Sequence, residues 1–190
     1  MASSYRLELN KWLSSLDVKA GTVYDVGGSQ EKVKDRVKSW QVDNYLIFDL
    51  PTPHADSPQP DVEIDLNSGK NDTANGYRGL ADAIFCLEVF EYIYRPEIAL
   101  KTLKALLKTG GDLYISFCTN YPLHNPVEDD ALRYQLGGIK KLAKLVGLQI
   151  VDIIPRRFET NAYLNFCSIE RLRPAKGHEQ VAGYIVRFTK

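Results

Sequence analysis

A strand-like segment followed by two glycines lies near the start of the chain and limits what the chain can fold into. Residues 22–26 read Thr-Val-Tyr-Asp-Val, and Gly27 and Gly28 follow them. Glycines permit a tight turn and let a ligand approach the backbone, and open α/β sheets bind nucleosides where such strands end. The segment predicts a parallel α/β domain. Taken alone, it favours a nucleoside-binding turn and a tight turn that binds nothing about equally.

The rest of the chain alternates strand-like and helix-like segments from residue 22 to residue 154. Strands are predicted at residues 22–26, 45–48, 62–65, 83–87, 113–117, 149–154 and 181–188. Apolar residues at helical spacing predict helices before the first strand (Tyr5 to Leu16), after the glycines (Val33, Val37, Trp40), and at 98–107, 132–146 and 161–172. This alternation predicts a doubly wound α/β fold with a mostly parallel seven-stranded sheet and an antiparallel last strand.

The length of 190 residues is that of one domain, predicted to span residues 1–190. We expect an N-terminal helical unit at residues 1–20. Four prolines between residues 51 and 60 exclude a regular helix there, so a surface loop is expected to replace one crossover helix.

Charge and cysteine content exclude several classes of function. Lys plus Arg equals Asp plus Glu, 24 each, and this balance argues against nucleic-acid or anionic-membrane binding. No apolar run approaches the ~18 residues of a membrane span. The spacing of Cys86, Cys118 and Cys167 fits no metal site, and we expect buried, reduced thiols in a cytoplasmic protein.

Acidic residues end three successive predicted strands. Asp49, Asp65 and Glu88 follow the second, third and fourth strands. Parallel strands bring their carboxyl ends to one edge of the sheet, and an acidic residue about 20 positions after the glycine turn typically binds ribose hydroxyls. Asp49 lies 22 positions after Gly27 (49 − 27). Each of these residues alone is more often a solvated strand end, so their joint occurrence carries the prediction.

Several segments in the correct order resemble the class I S-adenosylmethionine-dependent methyltransferases. They are Asp25-Val26-Gly27-Gly28, Asp49, Asp65-Leu66, Ala81-Asp82-Ala83-Ile84-Phe85-Cys86-Leu87-Glu88-Val89-Phe90-Glu91-Tyr92, and Leu106-Leu107-Lys108-Thr109-Gly110-Gly111. The chain is most similar to the small single-domain, type 11-like group. Departures from that pattern are Ser29 and Gln30 in place of glycines, Tyr92 in place of histidine, and Thr109 in place of proline.

The resemblance implies a role for each of these positions in binding S-adenosylmethionine. Asp25, Gly27 and Gly28 would form the methionine-binding loop, and Asp49 would bind the ribose hydroxyls. The remaining implied contacts are Asp65 and Leu66 at the adenine, and Leu87 and Glu88 beside the methionine and sulfonium.

The predicted function is methyl transfer to a small-molecule or glycan-type acceptor, with no metal. His124 is the best candidate for a general base because its ordinary pKa lies near neutrality; the alternative is a histidine that orders its loop. The pair Arg156-Arg157 fits a solvated turn better than an anion contact. A second reading is a non-catalytic protein of the same fold that acts through partners. A nicotinamide enzyme is disfavoured because the dinucleotide glycines are missing. The oligomeric state is not predicted.

Overall fold

The computed structural model describes residues 4–52, 57–121, 123, 125–157, 168 and 181–190, and its strands form one sheet in the order β3-β2-β1-β4-β5-β7-β6. The strands β1 to β7 are Asp17–Val26, Ser39–Asp49, Val62–Glu63, Ala81–Cys86, Leu107–Cys118, Gln149–Arg157 and Val181–Thr189. β7 pairs antiparallel with β5 and β6, and all other pairs are parallel. The predicted sheet with its antiparallel last strand is confirmed.

Helices pack on both faces of the sheet, as a doubly wound fold requires. The α-helices with bounds in the described part of the chain are α1 (Ser4–Leu13), α2 (Pro96–Leu106) and α3 (Leu136–Val146). Leu9 and Leu13 of α1 are buried on one face, in a cluster with Val23 and Phe85. Apolar residues of α2 and α3 are buried in the larger cluster on the other face.

The predicted helix after the glycine turn is wrong. Only a 3-10 turn, Val33–Asp35, lies between β1 and β2. The cause is that both strands begin earlier than predicted: Val18 pairs with Trp40 in the first half of β1 and β2. Trp40 is therefore a strand residue, and residues 27–38 form a crossover that contains the 3-10 turn and no α-helix.

Other boundaries also differ from the predictions. The N-terminal helix ends at Leu13, because residues 17–20 belong to β1. β5 begins at Leu107 and runs through Gly110, which has a φ of 79°. β3 ends at Glu63, and α3 begins at residue 136 rather than 132. Residues 53–56 of the proline-rich loop, and the predicted tail helix except residue 168, lie outside the described residues.

Two of the predictions from composition can be compared with the structure. Cys86 and Cys118 are buried free thiols, as predicted, whereas Cys167 lies outside the described residues. No helix in the described part of the chain is long and apolar enough to cross a membrane.

Candidate cofactor site

The carboxyl ends of three neighbouring strands place the predicted site residues in one row. Val26 of β1 is in register with Phe48 of β2 and with Cys86 of β4. The next residues along these strands are Gly27, Asp49 and Leu87. The backbone N–H of Gly27 donates to the carbonyl of Phe48 at 2.8 Å. The sheet topology therefore brings the glycine turn, Asp49 and Leu87 together at one edge.

The two glycines are explained by close packing within the chain. Gly27 has a φ of 80°, and a Cβ atom there would lie 2.3 Å from Cγ2 of Val89. A Cβ atom on Gly28 would lie 2.4 Å from Cγ of Asp25. A larger residue at either position would force Val89, Asp25 or the turn itself to move.

Asp25, at the end of β1, stabilises the loop that follows the glycine turn. Its side chain is buried, and its Oδ2 atom accepts hydrogen bonds from the Val33 backbone at 2.7 Å and from the Tyr45 hydroxyl at 2.5 Å. Burial raises the pKa of Asp25 to about 6, although both hydrogen bonds and the charge of Arg36 act in the opposite direction. The sequence placed Asp25 in a ligand-binding loop; these bonds show that its carboxylate holds the residues that replace the missing helix.

Asp49 is positioned at the open side of the same turn. Its Oδ2 atom accepts the Ser29 backbone N–H at 3.1 Å, and its Oδ1 atom accepts the Leu50 N–H at 2.8 Å. A carboxylate has about four acceptor positions. Asp49 is half-buried and therefore retains capacity for a diol such as the two hydroxyls of a ribose.

Asp65 and Leu66 follow β3 and differ in their surroundings. Asp65 is exposed, and its Oδ1 atom accepts the Asn67 N–H at 2.8 Å. Leu66 is buried in the core on the α2 and α3 face. The described contacts of Leu66 are packing contacts, and its proximity to an adenine stays a prediction.

Glu88 forms a buried ion pair that the sequence did not indicate. Its carboxylate accepts Nη1 of Arg156 at 2.6 Å and the Ser116 hydroxyl at 2.9 Å. The Arg156 side chain is 1% exposed, and its guanidinium lies 5.9 Å from the centre of the Tyr121 ring. Burial opposes the charge of Arg156, but Glu88 and other neighbours outweigh it and raise the pKa. The expectation that Arg156 lies in a solvated turn is wrong.

The backbone of Glu88 is also unusual. Its φ is 56°, in the left-handed region that non-glycine residues seldom occupy. Its N–H donates to Ser116 Oγ at 2.7 Å, which helps to hold this conformation. Residues kept in such conformations cluster at binding and catalytic sites, so the conformation favours a functional role for this strand end.

The segment after β5 folds over the same edge of the sheet. The Tyr92 hydroxyl donates to the carbonyl of Asn125 at 2.8 Å, and the Ala131 N–H donates to the carbonyl of Glu91 at 2.7 Å. Arg133 donates to Asp130 at 2.6 Å. His124, the predicted base, lies outside the described residues.

A cavity of about 440 Å³ lies away from this edge. It is lined by residues of the 3-10 turn Asp72–Tyr77 and of α2 and is partly open to solvent, and none of the predicted site residues that the structure describes lines it. The predicted site is therefore defined by its strand ends and not by this cavity.

Comparisons with known proteins bear on the fold. No protein-family model matches the sequence, and no curated protein matches it. Solved structures do. An S-adenosylmethionine-dependent methyltransferase from Archaeoglobus fulgidus has a TM-score of 0.62 at 11% identity, with 100% of this chain and 95% of that chain covered. A TehB-like methyltransferase of the same kind from Corynebacterium glutamicum has a TM-score of 0.54 at 16% identity, with 100% and 89% covered.

The same fold also occurs in a protein described by a different reaction. The [4+2]-cyclase SpnF has a TM-score of 0.61 at 14% identity, with 98% of this chain and 80% of that chain covered. The chain has the fold of the S-adenosylmethionine-dependent methyltransferases, which confirms the predicted fold. The fold alone identifies neither the acceptor nor the reaction.

The residues at this edge fit the adenosyl part of S-adenosylmethionine. Asp49 retains acceptor positions beside the glycine turn. The hydroxyl of Ser29 is buried without a hydrogen-bond partner among the described residues, so this turn has unused polar capacity. Sequence reasoning noted Ser29 only as a departure, assigned Arg156 to a solvated turn, and missed Arg36 and Tyr45. No motif distinguished Arg36 and Tyr45 from ordinary surface or core positions.

Proposed function

We propose that the protein transfers a methyl group from S-adenosylmethionine to a small-molecule or glycan-type acceptor in the cytoplasm. The observation that carries the proposal is the carboxylate of Asp49 beside the glycine turn, at the carboxyl edge of a sheet with methyltransferase topology. Ligands of open α/β sheets bind outside this edge. The fold relatives are similar to this chain at low identity, and they support the proposal without identifying an acceptor.

In this proposal each residue of the edge has a stated task. S-adenosylmethionine supplies a methyl group that is already activated. The chain therefore has to bind and orient the cofactor and the acceptor and to exclude water. Asp49 accepts the ribose hydroxyls, and the backbone at Gly27 and Gly28 lies against the amino-acid part. Glu88, fixed by Arg156 and Ser116, orders the strand end next to the reacting region.

Calorimetry with S-adenosylmethionine and S-adenosylhomocysteine tests the proposal. The variant Asp49→Asn should bind both ligands at least about 10-fold more weakly, because hydrogen bonds to a charged acceptor contribute about 1.5–3 kcal/mol. Asp43→Asn is the matched control, since Asp43 is an exposed residue of the same strand β2. The control should bind like the wild type. Absence of binding at millimolar ligand would refute the proposal.

A radiolabelled-methyl screen against small molecules, glycans and cell extract then tests transfer itself. Label in a small or glycan product supports the proposed acceptor class. Tight cofactor binding with no labelled product points to the second candidate.

The second candidate is a non-catalytic protein that keeps this fold and acts through partners. A specific observation favours it: the Asp25 carboxylate is directed to the chain's own turn, and Glu88 is paired with Arg156. Both groups would then serve to hold the edge together. This candidate requires that no labelled product forms, whether or not the cofactor binds.

A further inference from the structure

No α-helix follows the glycine turn, so the partial positive charge of a helix N-terminus is missing there. In nucleoside-binding α/β domains the N-terminus of the following helix presents N–H groups and a partial positive charge to an anion. Here the turn is followed by a three-residue 3-10 turn, Val33–Asp35. An anionic group at this place would need another source of positive charge.

Arg36 lies where that charge is needed. Its backbone N–H donates to the carbonyl of Val33 at 3.0 Å, and the N–H of Val33 donates to Asp25 at 2.7 Å. Arg36 therefore directly follows the 3-10 turn Val33–Asp35, which a hydrogen bond joins to Asp25. Its guanidinium interacts electrostatically with both Asp25 and Glu88, the acidic residues at the ends of β1 and β4.

The guanidinium is held in place but not fully used. Nη2 donates to Oδ1 of Asn10 at 2.7 Å, and Nη1 lies 3.5 Å from Glu31. An arginine has five N–H donors, so among the described contacts more than half of them remain for a ligand. The side chain is 17% exposed, which leaves a limited opening to solvent.

The neighbouring carboxylates do not fully compensate the cost of burying the Arg36 guanidinium. Burial lowers the pKa of Arg36, and this effect outweighs the attraction of Glu31, Glu88 and Asp25. Glu31 is shared with a second arginine, Arg6, at 3.3 Å. Two arginines therefore face one carboxylate at the surface of the turn, and an additional anion would be stabilised there.

We infer that Arg36 binds the α-carboxylate of the amino-acid part of the cofactor and takes the place of the missing helix N-terminus. This inference rests on the proposed function and names the group that recognises one end of its ligand. A planar guanidinium binds carboxylates through paired hydrogen bonds, which a helix N-terminus does not provide. The anchor to Asn10 orients the guanidinium before the ligand arrives.

Calorimetry with two probes tests the inference. S-adenosylhomocysteine carries the α-carboxylate, whereas 5′-methylthioadenosine has the same nucleoside without the amino-acid part. Arg36→Gln should lose at least about 10-fold in affinity for S-adenosylhomocysteine, the range expected for a charge-assisted pair. Its affinity for 5′-methylthioadenosine should change less than about two-fold. Arg36→Lys, which keeps the charge, should recover part of the loss.

Two further variants separate ligand binding from support of the fold. Glu31→Gln removes the competing carboxylate, and it should raise the affinity for S-adenosylhomocysteine but not for 5′-methylthioadenosine. Asn10→Ala removes the anchor but not the charge, and it should preserve most of the preference for S-adenosylhomocysteine. Thermal melts of all variants identify any that fail to fold.

The outcomes distinguish this inference from the proposed function. If Arg36→Gln weakens both probes equally, or neither, Arg36 does not bind the carboxylate and the inference is overturned, while the proposed function stands. If the wild type binds 5′-methylthioadenosine at least as tightly as S-adenosylhomocysteine, the inference is again overturned. If the wild type binds neither probe, the proposed function itself fails.

Discussion

The buried carboxylate of Asp25 should make the stability of the protein depend on pH in an unusual direction. Burial raises the pKa of Asp25 from 3.8 to about 6 in the folded protein, against the opposing effects of Tyr45, Val33 and Arg36. A difference of about two pH units corresponds to about 3 kcal/mol. The folded state therefore holds a proton on this group that the unfolded state releases.

The sign follows from linkage. Because the folded pKa is the higher one, the stabilisation from the protonated form is fully present below about pH 4 and is lost as the pH rises towards 6. Asp25→Asn removes this titration and keeps an oxygen that can accept from Val33 and Tyr45. Burial is also the first cause that raises the pKa of Tyr45, so its hydroxyl stays a donor throughout.

Urea unfolding of the wild type and Asp25→Asn between pH 4 and pH 8 measures the effect. The stability of the variant relative to the wild type should rise by up to about 3 kcal/mol across this range, with most of the change between pH 4 and pH 6. Asp43→Asn, an exposed change on β2, should show no such trend. A difference between wild type and Asp25→Asn that is constant with pH, or that falls as the pH rises, would refute the argument.

Two pairs of substitutions test the packing and the ion pair of the sheet. Gly183→Ala should destabilise the protein by at least about 3 kcal/mol in urea unfolding, because its Cβ atom would lie 2.1 Å from the Phe117 carbonyl oxygen between β5 and β7. Gly137→Ala in α3, whose Cβ atom would meet nothing within 4 Å beyond its own helix backbone and chain neighbours, should be neutral or stabilising by up to about 1 kcal/mol. Arg156→Met should cost about 3–5 kcal/mol because it leaves the Glu88 carboxylate without the guanidinium. The double variant with Glu88→Gln should recover more than half of that loss, and a strictly additive result would contradict the pairing.

The central strands β4 and β5 were predictable because their apolar sequences fit few structures other than a buried strand. Residues 83–87 are a continuous apolar run, and residues 113–117 are apolar except for Ser116. Such runs fit strands covered on both faces, and the structure confirms β4 and β5 there. The order of the site residues along these strands also fixed which of them share an edge. A parallel sheet brings Asp49, Gly27 and Leu87 together once the strand order is known.

The residues between β1 and β2 were not predictable from the local pattern. Val33, Val37 and Trp40 have helical spacing, yet Trp40 belongs to β2 because that strand pairs with the extended first half of β1. Pairing between distant segments overrides local periodicity in such cases. The sequence also contains no signal for the pairing of Arg156 with Glu88, which is 68 residues away and is known as its partner only from the folded chain.

The two candidate functions make different demands on Asp49. If the edge only supports the fold, the carboxylate matters through its bonds to Ser29 and Leu50, and Asp49→Asn should lower stability by about 1 kcal/mol or more. If the edge binds a ribose, the acceptor positions that remain on Asp49 are the ones in use, and the same change should lower affinity far more than stability. Measuring both quantities on one variant therefore separates a structural carboxylate from a ligand-binding one, and the Asp43→Asn control shows the background effect of removing one charge from β2.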